Sequence, residues 1–294
     1  MIITGEVSGD LIGGSLIREL KSLKPDLYVT GIGGDRMRSE GMEVLYHTDQ
    51  MAFLGFAEVV KHLPFIRKVQ KELIDVINKE DISCVVLIDY PGFNLSIAKK
   101  LKPLGIKIIY YVSPQLWAWA KGRVKKVRRL VDKMLVVFPF EVEFYQKENV
   151  NVEYAGHPLV ERINQYNFLS REKFFSKFNL NREKEILLVM PGSRKQEVKT
   201  IFPEVIMAAD RLAQQFKMQV VVARSKNIDE KYLHRHTSSV KFITITDYNY
   251  ELMKYSHFGI IKSGTSTLEA GFFALPMIVV YKTNPLTYMI GKQL

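Results

Sequence analysis

The apolar positions of this chain are of two kinds, short uninterrupted runs and longer stripes at helical spacing, and the two alternate. Cys84–Ile88 and Ile186–Met190 are continuous apolar runs, the pattern of strands buried on both faces of a parallel sheet. Residues 65–80 instead carry Phe65, Ile66, Val69, Leu73, Val76 and Ile77, the stripe of an amphipathic helix. In the first half, residues 2–4, 27–31, 84–88, 107–112, 135–137 and 152–154 are predicted strands, with helices over 11–20, 65–80 and 94–101. A polar, helix-rich stretch follows at 158–181. A second series then places strands at 186–190, 218–223, 258–261 and 277–280 and helices at 202–214, 250–255 and 267–273. The fold class this predicts is α/β, with two doubly wound, Rossmann-like domains facing each other across a cleft. The expected boundaries are 1–160, a connection at 161–182, and a second domain at 183–294. That second domain is expected to be incomplete, because the apolar segment 287–294 shows no helix-stop signal.

Two glycine-bearing loops carry the first candidate chemistry. Pro191-Gly192-Ser193-Arg194 follows the run 186–190, and Ser263-Gly264-Thr265 follows 258–261; each precedes a helical pattern. A loop of this kind offers backbone N–H groups and the positive end of a helix dipole to an anion. Arg194 adds a planar fork suited to phosphate oxygens. Together they predict a nucleotide diphosphate held at the carboxyl ends of parallel strands. Glu269, one helical turn beyond Thr265, then points toward the adjoining ribose, unless it merely favours the helix dipole.

The first domain offers a carboxylate. Asp89 directly follows the buried run 84–88, at the strand end where such folds bind ligands, and partial burial there raises a carboxyl toward a useful base. A turn-stabilising role before Pro91 is the structural alternative, and Asn94 reads equally as a helix cap. Gly5–Asp10 is either a cleft-lining loop, with Ser8, Gly9 and Asp10 toward an acceptor, or a tight turn capped by Ser8 or Asp10. His157, at the apparent domain switch, either faces the cleft or belongs to a turn. His234 and His236 are two apart, as on one strand face, but nothing completes a metal-ligand spacing and no metal is expected.

Charge changes the picture on the surface. The net charge of +11, from 42 basic and 31 acidic residues among 294, calls for an anionic partner. Residues 117–131 put Trp117, Ala120, Val124, Val127 and Val131 on one apolar stripe, with Arg123, Lys126 and Arg129 among the basic positions elsewhere. That face is either solvated or meets phosphate head groups or an anionic sugar phosphate; nucleic acid ranks lower because no nucleic-acid motif accompanies it. The segment 51–63 is unusually apolar: Met51, Phe53, Leu54, Phe56, Val59 and Leu63 either belong to the core or touch lipid. The single cysteine, Cys84, excludes an internal disulfide framework. With no apolar run of about 18 residues and no secretory signal, the cytoplasm is the expected compartment.

In order along nearly the whole chain, the segments GEVSGD (5–10), GIGGDRM (31–37), LGFAEVVKHLP (54–64), DYPGFN (89–94), YVSPQLWAWAKGRVKKV (111–127), AGHPLV (155–160), PGSRKQEV (191–198), SGTSTLEA (263–270) and PMIVVYKTNPLTY (276–288) resemble bacterial lipid A disaccharide synthases. The resemblance implies a GT-B glycosyltransferase without metal or cofactor. Its substrates would be UDP-2,3-diacylglucosamine and 2,3-diacylglucosamine 1-phosphate, joined with inversion into a β-1,6-linked disaccharide. It implies Asp89 as general base, Arg194 beside the diphosphate and Glu269 beside the nucleotide. It also implies peripheral contact with the cytoplasmic face of the inner membrane, and a homodimer formed through a C-terminal segment that this chain is expected to lack. Val7 departs from the family's usual Ala.

Overall fold

The computed structural model describes residues 1–51, 62–119, 121–235, 237 and 240–282. The chain divides into two units, Met1–Pro158 and Leu159–Leu294.

The first unit is built on seven strands: β1 (Ile2–Ile3), β2 (Thr30–Gly33), β3 (Glu43–His47), β4 (Cys84–Ile88), β5 (Lys107–Tyr111), β6 (Lys133–Val136) and β7 (Val152–Tyr154). They lie in the order β3-β2-β1-β4-β5-β6-β7, and all pairs are parallel. Alternate residues feed opposite faces of the sheet. Ile3 and Leu87 join one apolar cluster, Ile2 and Ile88 the other, so both faces are covered by helices, as the continuous apolar runs require. The chain winds outward in both directions from β1 and β4. That topological switch point opens a crevice above the carboxyl ends of those two strands, where open α/β sheets bind ligands.

Among its described residues the second unit has five parallel strands, β8 (Ile186–Met190), β9 (Gln219–Ala223), β10 (Ile243–Ile245), β11 (Phe258–Lys262) and β12 (Met277–Val280), in the order β10-β9-β8-β11-β12. Leu187 and Val189 pack with Phe202 and Ile206, whereas Leu188 and Met190 pack with Phe174 and Leu252 on the opposite face. Here the switch point lies between β8 and β11, the strands that lead into the two glycine-bearing loops.

Several local expectations change. Residues 161–182 are not a free connection: Phe174, Phe175 and Leu180 are buried in the second unit, with Ile163, Tyr166, Phe168 and Leu169 packed against them. The first helix starts at Val7 rather than residue 11, so Ser8, Gly9 and Asp10 form its opening turns instead of a loop. The stripe at 117–131 does not run along one helix. It is divided into Leu116–Trp119, a 3-10 turn at Lys121–Arg123 and Val124–Leu130, with Val124, Val127 and Leu130 buried and Ala120 outside the described residues. His234 lies on the Glu230–Arg235 helix, not on a strand; His236 is outside the described residues. Strands β3 and β10 and the Asp35–Ser39 and Pro139–Gln146 helices were not expected. No helix among the described residues is long and apolar enough to cross a membrane.

Candidate active site

The residues after β4 are held in an uncommon backbone. Asp89 and Tyr90 both have φ of +46°, a left-handed conformation that costs non-glycine residues on the order of 1–3 kcal/mol each when the surroundings must impose it. The surroundings do so. The Asp89 amide donates to the Tyr111 carbonyl at 3.1 Å. The Asp89 carbonyl accepts from Tyr110 Oη at 2.6 Å and from Asn94 Nδ2 at 2.7 Å; Asn94 Nδ2 also reaches the Ile88 carbonyl at 3.2 Å. Pro91, with its φ preset for a helix start, then opens the Pro91–Leu101 helix. The turn thus presents Asp89 at the switch point of the first sheet.

Burial pushes the Asp89 carboxyl up to about 6; the nearby Glu6 charge adds to the rise, and a hydrogen bond from the Tyr90 backbone opposes it. Glu6 directly precedes the Val7–Leu23 helix, just beyond β1 on the other side of the same switch point, and the sequence reading passed over it. A half-buried carboxyl at about 6 is mostly ionised at neutral pH yet basic enough to accept a proton.

Other residues of this half have different roles from those expected. Asp10 is buried and is not free to meet an acceptor: its carboxylate takes the backbone N–H groups of Gly34, Arg36 and Met37 at 2.7, 3.1 and 3.1 Å, closing the start of the Asp35–Ser39 helix. Gly9 is buried against β1's exit, where an added Cβ would lie 1.8 Å from Thr4 Oγ1, so it serves close packing instead of ligand contact. Asn94 is 0% exposed; it positions the Asp89 turn and does not line an open site. Ser8 is exposed in the first helical turn. His157 packs its ring 5.5 Å from that of Phe138. Met51 is a core residue with no exposed surface, which removes it from lipid contact, while Leu63 is 38% exposed at the start of the Leu63–Lys79 helix. Phe53, Leu54, Phe56 and Val59 lie outside the described residues. Arg123, Lys126 and Arg129 are all exposed, whereas Val124 and Val127 are buried.

One further carboxylate organises the loop after β5. Glu141 is buried, and it accepts from Ser113 Oγ at 2.5 Å, Trp117 Nε1 at 3.2 Å and the Phe138 amide at 3.1 Å. Tyr145 Oη donates to the Pro114 carbonyl at 2.9 Å. The Ser113–Trp117 segment is therefore pinned just beyond β5, the strand that pairs with the one leading into Asp89.

In the second unit, the loops after β8 and β11 line one cavity of about 460 Å³ that also takes in Arg224 and Lys226 after β9 and Thr246 and Asp247 after β10. Gly192, Ser193, Ser263, Gly264 and Thr265 all line it, so the structure brings both predicted loops together. Gly192 has φ of +112°, and an added Cβ would lie 2.8 Å from Glu197 Oε2, so only glycine fits there. Arg194 is not part of this lining; it stands at the N-terminal boundary of the Lys195–Gln215 helix with 64% of its side chain exposed, Nη1 3.7 Å from Glu197 Oε1. Lys226 pairs with Asp247 at 3.0 Å, and Arg224 Nε is buried without a hydrogen-bond partner among the described residues. Glu269 is not part of this lining. Its Oε1 accepts from Arg162 Nη2 at 2.6 Å, and Arg162 Nε donates to Tyr250 Oη at 2.6 Å. Burial raises the Glu269 carboxyl while Arg162 opposes the rise. Among the described residues, no group of three or more His, Cys, Asp or Glu side chains is placed to hold a metal ion.

A family profile described as Lipid-A-disaccharide synthetase matches residues 1–294. The lipid-A-disaccharide synthase of Coxiella burnetii (strain RSA 331) is 40% identical over 295 residues, covering 100% of this chain and 78% of that protein. The lipid-A-disaccharide synthase of Geobacter metallireducens is 38% identical over 297 residues, with 100% and 77% covered. Among solved structures, UDP-GlcNAc 2-epimerase from Neisseria meningitidis superimposes with a TM-score of 0.65 at 14% identity, covering 99% of this chain and 84% of that one. A glycosyltransferase from Rickettsia africae gives 0.56 at 14% identity over 95% of this chain and 77% of that one. These structural neighbours share the GT-B architecture.

Proposed function

The chain belongs to the lipid-A-disaccharide synthetase family, and from that premise we propose how its residues perform the transfer. The donor is UDP-2,3-diacylglucosamine and the acceptor 2,3-diacylglucosamine 1-phosphate. Asp89 takes the proton of the acceptor 6-hydroxyl as its oxygen attacks the anomeric carbon of the donor. The bond from that carbon to the diphosphate breaks, its electron pair leaves with UDP, and attack from the opposite face inverts the centre. The products are the β-1,6-linked disaccharide 1-phosphate and UDP.

The observation that carries this reading is the Asp89 turn. A half-buried carboxyl at about 6 is presented at a switch point by a strained backbone that four hydrogen bonds hold. General-base catalysis contributes about 10²–10⁴-fold when the base is matched to the operating pH. Gly192, Ser193, Arg194, Ser263, Gly264 and Thr265 supply the other requirement, since amides and a cation fixed where charge develops lower the barrier to diphosphate departure. Glu269, whose carboxylate is held by Arg162 and Tyr250, is assigned to the ribose. We assign the exposed Arg123, Lys126 and Arg129 to the anionic inner-membrane surface that holds the acylated substrates.

The test is UDP release with each substrate alone and with both. The reading predicts release only when donor and acylated acceptor are present together. UDP release or sugar epimerisation that proceeds equally well without acceptor would assign the fold a different reaction.

A further inference from the structure

We propose that Lys262 is a second cation for the departing diphosphate, held over the loop after β11 by Glu197. The assignment rests on the reading above, that the second unit binds UDP.

Lys262 is the last residue of β11, directly before Ser263, and it lines the cavity shared by the two loops. Lysine side chains usually extend into water, yet this one is only 18% exposed. It folds back over its own loop: Nζ lies 4.0 Å from where a Cβ on Gly264 would stand. Nζ is also 2.9 Å from Glu197 Oε1, the carboxylate oxygen that has Arg194 Nη1 at 3.7 Å. Glu197 stands in the first turn of the Lys195–Gln215 helix, with its other oxygen against Gly192. One carboxylate therefore gathers a cation from each loop at the point where the loops meet.

That arrangement suits a diphosphate. An ammonium that gives one N–H to Glu197 keeps others for phosphate oxygens. As the glycosidic bond breaks, negative charge grows on the diphosphate, and a poorly solvated cation acts on it more strongly than the exposed Arg194 does. Neighbouring Lys226 is already paired with Asp247. The competing reading is that Lys262 only neutralises Glu197 and keeps the pocket in shape.

A nucleotide series separates the two. UDP binding to the full chain is measured by calorimetry and uridine binding by NMR titration, for the parent, Lys262→Met and Lys262→Arg. Lys262→Met is expected to weaken UDP at least about tenfold and to leave uridine within about twofold, because only UDP carries the diphosphate. Lys262→Arg is expected to recover most of the loss. UDP affinity unchanged in Lys262→Met overturns the assignment, as does a loss of the same factor for uridine and UDP, which marks a merely structural role. A parent chain that does not bind UDP overturns the functional reading together with the assignment.

Discussion

Replacing Asp89 by Asn tests catalysis and stability in opposite directions. An ordinary aspartate titrates near 3.9; Asp89 titrates at about 6, chiefly because of burial. The folded chain therefore holds this proton more tightly than the unfolded chain does, and stability falls as pH rises between about 4 and 6. Two pH units at about 1.36 kcal/mol each make the ionised carboxylate cost the fold roughly 3 kcal/mol above pH 6. Its partial exposure makes that an upper bound. Asn is nearly isosteric and uncharged, and it accepts the left-handed backbone, so Asp89→Asn removes the cost without new strain. At pH 8 the variant should melt several degrees higher, on a scale of about 2–4 °C per kcal/mol for a domain of this size. At pH 4 most of the advantage should be gone, because Asp89 is then protonated in the folded chain and about half protonated in the unfolded one. Activity should move the other way: kcat/KM falls about 10²–10⁴-fold, and the parent's kcat/KM rises with pH through about 6 to a plateau. Calorimetry at both pH values and a pH–rate profile are the assays. A variant less stable than the parent at pH 8, a loss below tenfold, or a parent profile flat between pH 5 and 7 would refute the reasoning.

Glu6→Gln removes a charge that raises Asp89, so the acid limb of the pH–rate profile should move to lower pH; an unmoved limb would show that the two groups do not interact. Gly192→Ala forces a side chain onto φ +112° and against Glu197, and should lower stability by about 1 kcal/mol or more and UDP affinity with it, which a titration within twofold of the parent would contradict. Asp10→Ala leaves three backbone N–H groups of the Asp35–Ser39 turn without their acceptor and should cost at least about 2 kcal/mol in denaturant unfolding, with kcat of the folded enzyme nearly unchanged. A fall in kcat without a fall in stability would return Asp10 to the acceptor site.

What the sequence made legible is what chain-local physics encodes. The uninterrupted apolar runs of β4 and β8 require burial on both faces, and that alone predicts parallel sheets with helices on either side. The residues after those runs, Asp89 and Pro191–Arg194, could be named because strand carboxyl ends are where such folds bind ligands. Strands β3 and β10 escaped because neither is fully buried and neither reads as a continuous apolar run. The 161–182 stretch looked polar, yet of its irregularly spaced aromatics Phe174 and Phe175 are core and Tyr166 and Phe168 pack against it; their density was the available signal. Helical spacing carried the 117–131 stripe past the point where a 3-10 turn containing Gly122 divides it. Asp10, Glu141 and Lys262 take their roles from partners 24 to 65 residues away, a relation that no local pattern contains.

The most direct measurement is mass spectrometry of the product formed when the chain is supplied, in detergent, with UDP-2,3-diacylglucosamine and 2,3-diacylglucosamine 1-phosphate. The account predicts a tetra-acylated disaccharide 1-phosphate and UDP in equal amounts, with almost none from Asp89→Asn. Disaccharide formed equally well by Asp89→Asn, or donor consumed with no disaccharide formed, would contradict it.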